Sequence, residues 1–172
     1  MNPFKDYREE YYSKIGRAIN IVSIVLSNSK KTNISVEHAS YFDIIVKNPK
    51  LYAKSVNYFQ KKIDHRVKSD ILYSHDLEFS DKLINTEFTK TILTLAESNI
   101  ISICNDNGIF IVEKGNNWIE PIIDESSQYF RIINSSSFML SKPISTLYKS
   151  ILENDNEWHP LPNSEPISNT RD

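Results

Sequence analysis

Four histidines and a single cysteine are the side chains in this sequence best suited to catalysis or metal ligation. His38, His65, His75 and His159 fall in separate stretches. None has a second histidine or a cysteine at the helical spacing that would turn two ligands toward one ion. In Asp64-His65 and His75-Asp76 an acid adjoins a base, but adjacent side chains on a helix or strand diverge, so both pairs are expected at a solvated surface. A metal-dependent nuclease needs carboxylates, commonly with a lysine, converging on a divalent ion. Asp43, Glu78, Asp81 and Glu87 show no recurrent spacing, and Glu113-Lys114 alone does not make such a site. Cys104 lies in an apolar run and is expected as a buried small hydrophobe rather than a nucleophile. No catalytic, metal-binding or cofactor-binding residue is assigned, and neither a cofactor nor enzyme activity is expected.

Composition narrows the field further. The chain has 172 residues, 40% of them hydrophobic and 11% aromatic, enough apolar surface for one well-formed core. One globular domain over residues 1–153 is expected, followed at 154–172 by a polar, proline-containing tail expected to be disordered. Three glycines in the whole chain leave little room for a glycine-rich phosphate loop. A formal net charge of −2 provides no chain-wide attraction for nucleic acid. The lone cysteine and an N-terminus without a basic-then-apolar signal point to a cytoplasmic protein. The longest apolar stretch, Ile19 to Leu26, falls well short of the roughly 20 residues that span a bilayer, so no membrane association is expected.

Periodicity supplies the elements. Tyr12, Ile15, Ile19, Val22 and Leu26 recur at helical intervals within a helix over Glu9–Ser27. Ser35 is placed to cap a second helix, Val36 to Val46, and Asn48-Pro49 both ends it and can cap the next segment. Leu51 to Ser74 permits a helix without fixing its ends. Phe88, Ile92 and Leu95 mark a helix from Thr86 to Ser98. Two β-rich runs come next, Ile100–Cys104 and Ile109–Val112. Between them Asn107-Gly108 suits the positive φ angles of a tight hairpin. Trp118, Ile122, Tyr129, Phe130 and Ile133 predict a helix beginning near Trp118, and a last short helix covers Ile144 to Leu152. The fold class expected is mainly α with a β-hairpin, α+β. Its order suggests a winged-helix-like domain with additional helices, and an irregular α+β domain is the alternative.

In a winged-helix domain a helix can read the DNA major groove while basic side chains hold phosphates. The helix from Thr86 carries Lys90 but also Glu87 and Glu97, and Asp106 stands near the hairpin tip, a poor match to phosphate. The richest basic stretch runs from Lys47 to Lys68. Within it Lys54, Lys61, Lys62 and Arg66 are the candidate phosphate contacts, with an ordinary solvated helix face as the alternative. Partner binding favours aromatic anchors, and the candidates are Trp118, Tyr129, Phe130 and Trp158. Core packing is the default for the first three; Trp158, beside the proline-rich tail, is the more external.

Across Ile15 to Leu140 the chain resembles the middle components of bacterial ABC-type three-component systems, which include the small subunit of Lamassu-type phage-defence complexes. The resemblance rests on order and spacing. An N-terminal helix leads to Tyr41-Phe42-Asp43-Ile44-Ile45-Val46, then Phe88 and Leu93-Thr94-Leu95-Ala96-Glu97-Ser98-Asn99-Ile100-Ile101, then Gly108-Ile109 opening a strand, then the Trp118 to Tyr129 segment. It implies a non-catalytic adaptor joining an SMC-like coiled-coil ATPase to an effector subunit, a nuclease by expectation, in an antiphage or anti-plasmid defence complex. Any DNA would then be met only through the complex. The rival expectations are a winged-helix DNA-binding transcriptional regulator and a stand-alone small hydrolase.

Overall fold

The computed structural model describes residues 7–29, 31–62 and 86–152. The 154–172 tail and the part of the ambiguous stretch after Lys62 lie outside them. The described chain is mostly helical with a three-stranded antiparallel sheet, an α+β arrangement.

Helix α1 (Tyr7–Ser29) exposes Tyr11 and Tyr12, buries every residue from Ile21 to Leu26, and returns to solvent at Ser27 and Asn28. A single apolar stripe was the sequence expectation. The Ile21–Leu26 stretch is instead enclosed by α2 and by segments from the C-terminal half, and a stretch of helix enclosed on all sides is apolar nearly all round. Ser29 Oγ closes the helix by donating to the Val25 carbonyl (2.7 Å).

Strand β1 (Asn33–Ser35) pairs Ile34 with Val112 and escaped the sequence reading, because three residues are too few for an alternation to show. Ser35 ends the strand and also caps α2 (Val36–Lys47), its Oγ accepting from the His38 N–H (3.1 Å). From Ala39 to Val46 every residue of α2 is buried. Asn48 Oδ1 accepts from the N–H groups of Lys50 and Leu51, with Pro49 in the first turn, so the break also starts α3 (Pro49–Tyr58).

After the undescribed stretch, α4 (Thr86–Glu97) buries Phe88, Ile92 and Leu95, the stripe expected of it. It stops at Asn99, whose φ of 58° is left-handed, while the Ile100 N–H returns to the Leu95 carbonyl (3.0 Å). Strands β2 (Ile101–Asp106) and β3 (Ile109–Lys114) form the hairpin. Its turn is Asn107 (φ 52°) and Gly108 (φ 87°), both in the region Asn-Gly tolerates. The sheet order is β1-β3-β2, with β3 central.

The chain does not become helical at Trp118, as its apolar spacing predicted. Residues 115 to 127 run irregularly because their polar groups are engaged elsewhere. The Asn117 N–H donates to the Asn99 carbonyl (2.8 Å), its side chain donates to the Ser98 carbonyl, and Asp124 turns the chain by accepting from the backbone and hydroxyl of Ser126. Helix α5 (Gln128–Ser135) starts only after Ser127, whose Oγ accepts from the Phe130 N–H (3.2 Å). A 3-10 turn (Ser137–Ser141) and α6 (Ile144–Leu152) complete the described chain. Helix α2 is the hub, packing against α1, α3, α4, α5, α6, β1 and β3.

Gly115 shows how tightly the hairpin's return is held. Its N–H donates to the Ile100 carbonyl (2.9 Å), and a Cβ there would lie 2.4 Å from the Asn99 carbonyl oxygen. That neighbour is backbone and cannot swing away. Gly115→Ala is therefore expected to destabilise the fold by about 1–3 kcal/mol, by overpacking. Urea unfolding would show this as a lower midpoint at constant slope; an unchanged midpoint would mean the two backbones are free to separate.

Candidate partner interface

The sequence candidates separate once placed. Trp118 is half-buried and packs on the core. Its indole N–H donates to Glu120, and the Lys114 ammonium stands 5.2 Å from its ring centroid. Lys114 also bonds Glu120 Oε1 (2.7 Å). The Lys114 ammonium, and after it the Trp118 indole, hold the exposed Glu120 carboxyl below the usual carboxylate range. Trp118 is thus a clasp at the hairpin base. Phe130 is likewise half-buried against the core, whereas Tyr129, its neighbour on α5, is 46% exposed. Of these three aromatics Tyr129 points most to solvent. Trp158 lies outside the described residues.

Larger exposed apolar groups stand where aromatic counting did not look. Ile122 is 99% exposed and Ile119 76%, both in the irregular segment after Trp118. Phe110, 57% exposed, and Ile109 extend the hairpin beyond the core, and Leu93 is exposed on α4. The signal for Ile119 and Ile122 was present in the sequence: aliphatic residues on both sides of Pro121, in a stretch whose asparagines and acids favour turns. Assigning them to a helix concealed it. Bringing one such side chain out of water is worth about 1.5–3 kcal/mol, and the isolated chain forgoes that at each position.

Cys104 is exposed, not buried. Strand alternation explains the correction. Ile101 is buried and Ile103 half-buried toward the core, so Ser102 and Cys104 face outward despite the apolar run around them.

The candidate phosphate contacts also differ from one another. Lys54 Nζ donates to the Ile151 carbonyl (3.1 Å), capping α6. The Lys61 ammonium sits 5.6 Å from the Phe138 ring centroid, and Lys62 is exposed. Arg66 lies outside the described residues. His38 bridges Ser35 Oγ (2.7 Å) and the Lys142 carbonyl (3.1 Å), a structural link between α2 and the approach to α6. His65, His75 and His159 are outside the described residues, as are Glu78 and Asp81. Among the described residues no group of three or more histidine, cysteine, aspartate or glutamate side chains is arranged to hold a metal ion. Asp43 is fully buried and taken by cations, with Arg17 Nε at 2.7 Å and Lys47 Nζ at 2.6 Å. It locks α1 to α2.

No described helix is long and apolar enough to cross a membrane. No family model, curated protein or solved structure matches the chain.

Proposed function

We propose that this chain is a non-catalytic adaptor subunit linking an SMC-like coiled-coil ATPase to an effector, a nuclease in the favoured form, within an antiphage or anti-plasmid defence complex. The observation that carries the reading is the set of large apolar side chains presented to solvent on a packed body: Ile119, Ile122, Ile109, Phe110 and Tyr129. Such groups are what an obligate partner covers. In this reading the body is a winged-helix domain. The order α1-β1-α2-α3-α4-β2-β3 with sheet order β1-β3-β2 supports that, with α3 as an addition. The polar pairs Arg17–Asp43 and Trp118–Glu120 go into holding the body together, which suits a part that transmits rather than transforms.

Nucleotide state or DNA engagement of the ATPase would shift the complex between arrangements in which the effector is held or released. The adaptor acts through its differential affinity for the two. A regulator that reads DNA through α4 is the less favoured reading, since α4 exposes Leu93 and carries Glu87 in its first turn and Glu97 at its end.

Co-expression with the proteins that neighbouring genes encode provides the test. The chain is expected to co-purify stoichiometrically with at least one of them. Ile122→Asp is expected to weaken that association by about 2 kcal/mol or more, roughly 30-fold in Kd, by removing apolar contact and burying a carboxylate. Because Ile122 is exposed, the melting behaviour of the isolated chain should stay within about 0.5 kcal/mol of the parent. A chain that never co-purifies with either neighbour is not an adaptor, and an unaffected Ile122→Asp complex removes this segment from the interface.

A further inference from the structure

Charge is sorted by element in this chain. From Ile44 to Lys62, and again from Ser126 to Leu152, every charged residue is a lysine or an arginine, although the whole protein has a formal net charge of −2. From Thr86 to Glu125 acids prevail instead, with only Lys90 and Lys114 opposing them. The two basic stretches are distant in sequence but meet in space, because α3 packs on α6 and Lys54 caps the α6 C-terminus.

Their clearest meeting point is aromatic. Phe59, just after α3, and Phe138, in the 3-10 turn before α6, stand edge to face with centroids 5.8 Å apart. Each ring carries a lysine from the opposite stretch: Lys61 is 5.6 Å from the Phe138 centroid, and Lys142 is 5.8 Å from the Phe59 centroid. Both lysines are exposed, Lys62 is exposed beside Lys61, and the partly exposed Tyr58 ring lies 5.1 Å from Phe59. Stacking on the rings restrains the two ammoniums while leaving their heads in water. Like charges gathered on one face repel one another until a polyanion arrives, and Glu37, near Tyr148 of α6, is an acid at the border of this face.

We propose that this α3–α6 face binds the phosphate backbone of nucleic acid, with Lys61, Lys62 and Lys142 as the contacts and the Tyr58–Phe59–Phe138 rings as the support that holds them. Nucleic acid is favoured over an acidic protein segment because a basic surface tracks the sugar–phosphate chain while an exposed ring beside it, here Tyr58, offers a base a stacking face. The inference does not depend on the adaptor reading, since it concerns the isolated chain. It also differs from DNA reading by α4, because these lysines approach phosphates and specify no sequence.

Fluorescence anisotropy with a labelled 20-base DNA duplex and its single strand, from low to physiological salt, provides the test. About three phosphate contacts predict log K falling with log salt at a slope of about −2 to −3, with no sequence preference. Lys61→Gln combined with Lys62→Gln and Lys142→Gln should lower affinity at least 10-fold and flatten the slope toward zero. Lys62→Gln alone, which disturbs no ring contact, should reduce the slope by about one phosphate, so the result does not depend on the triple variant's folding. Lys90→Gln should change nothing. No salt-dependent binding by the full chain overturns the proposal, as does a triple variant that binds like the parent. Polyglutamate displacing the DNA at matched charge concentration would also overturn it and assign the face to an acidic protein.

Discussion

Asp43→Asn is expected to lower the folding free energy by about 3–5 kcal/mol, read as a fall in the urea midpoint with an unchanged slope. The carboxylate is fully buried and meets two cations from different helices, Arg17 of α1 and Lys47 of α2 itself. Removing its charge leaves the guanidinium of Arg17, only 15% exposed, in a poor solvent with half a partner. Lys47, at 34%, can swing to water and is the lesser problem. The same physics predicts a rescue: Arg17→Met together with Asp43→Leu removes both charges, so most of the lost stability should return. A loss below about 1 kcal/mol for Asp43→Asn, or no rescue in the double variant, would show that the pair is not what fastens α1 to α2.

Tyr41→Ala is expected to cost about 3–5 kcal/mol, and Tyr41→Phe only about 1 kcal/mol. The fully buried ring stands edge to face with Phe42 and Tyr148, so truncation leaves a cavity at the hub. Its hydroxyl bonds Ser55 Oγ (2.5 Å) and lies 3.4 Å from Ser150 Oγ. Phenylalanine would leave those serines paired with each other (2.7 Å), and Ser150 still donating to the Leu147 carbonyl (2.6 Å). Little is orphaned.

The same phenol gives a pH signature. Burial pushes Tyr41 above its usual value near 10, against the pull of its serine bonds. Burial also raises Tyr148, against its Ser40 bond and with the help of nearby Glu37 and Tyr41. A raised folded-state value means that the unfolded chain loses these protons first. Both contributions are therefore intact below pH 10 and decline as pH rises from there toward the folded values. Stability should fall above pH 10 in the parent and fall less steeply in Tyr41→Phe. Equal slopes for the two proteins would mean that Tyr41 ionises in the folded state as readily as in the unfolded chain.

Local signals were legible in the sequence wherever neighbouring residues settle the outcome. Asn107-Gly108 placed the hairpin turn, Ser35 and Asn48-Pro49 marked helix starts, and Ile144–Leu152 was read to the residue. The stripe of α4 was visible because one of its faces really does meet water. Distant partners decided the rest. The three-residue β1 exists because β3 is there to pair with it, 80 positions away at Asn33 and Glu113. Residues 115 to 127 had helical spacing, but Asn117 is tied to the end of α4 and Trp118 to Lys114 and Glu120. Residue type made core packing the default for Trp118, Tyr129 and Phe130, which fits Trp118 and Phe130 but not the exposed Tyr129, and it put Cys104 inside, where strand alternation turns it outward. It overlooked Ile119 and Ile122, and it could not foresee that Phe59 and Phe138 would bring two groups of lysines together.

Because α2 is the axle on which the surrounding helices and two of the three strands are mounted, the described body has no seam along which one half could slide over the other. A push delivered to the hairpin reaches α6 through that single rod. Under the proposed adaptor role such a part would work as a lever turned whole, with any travel coming from the joints it makes with its partners.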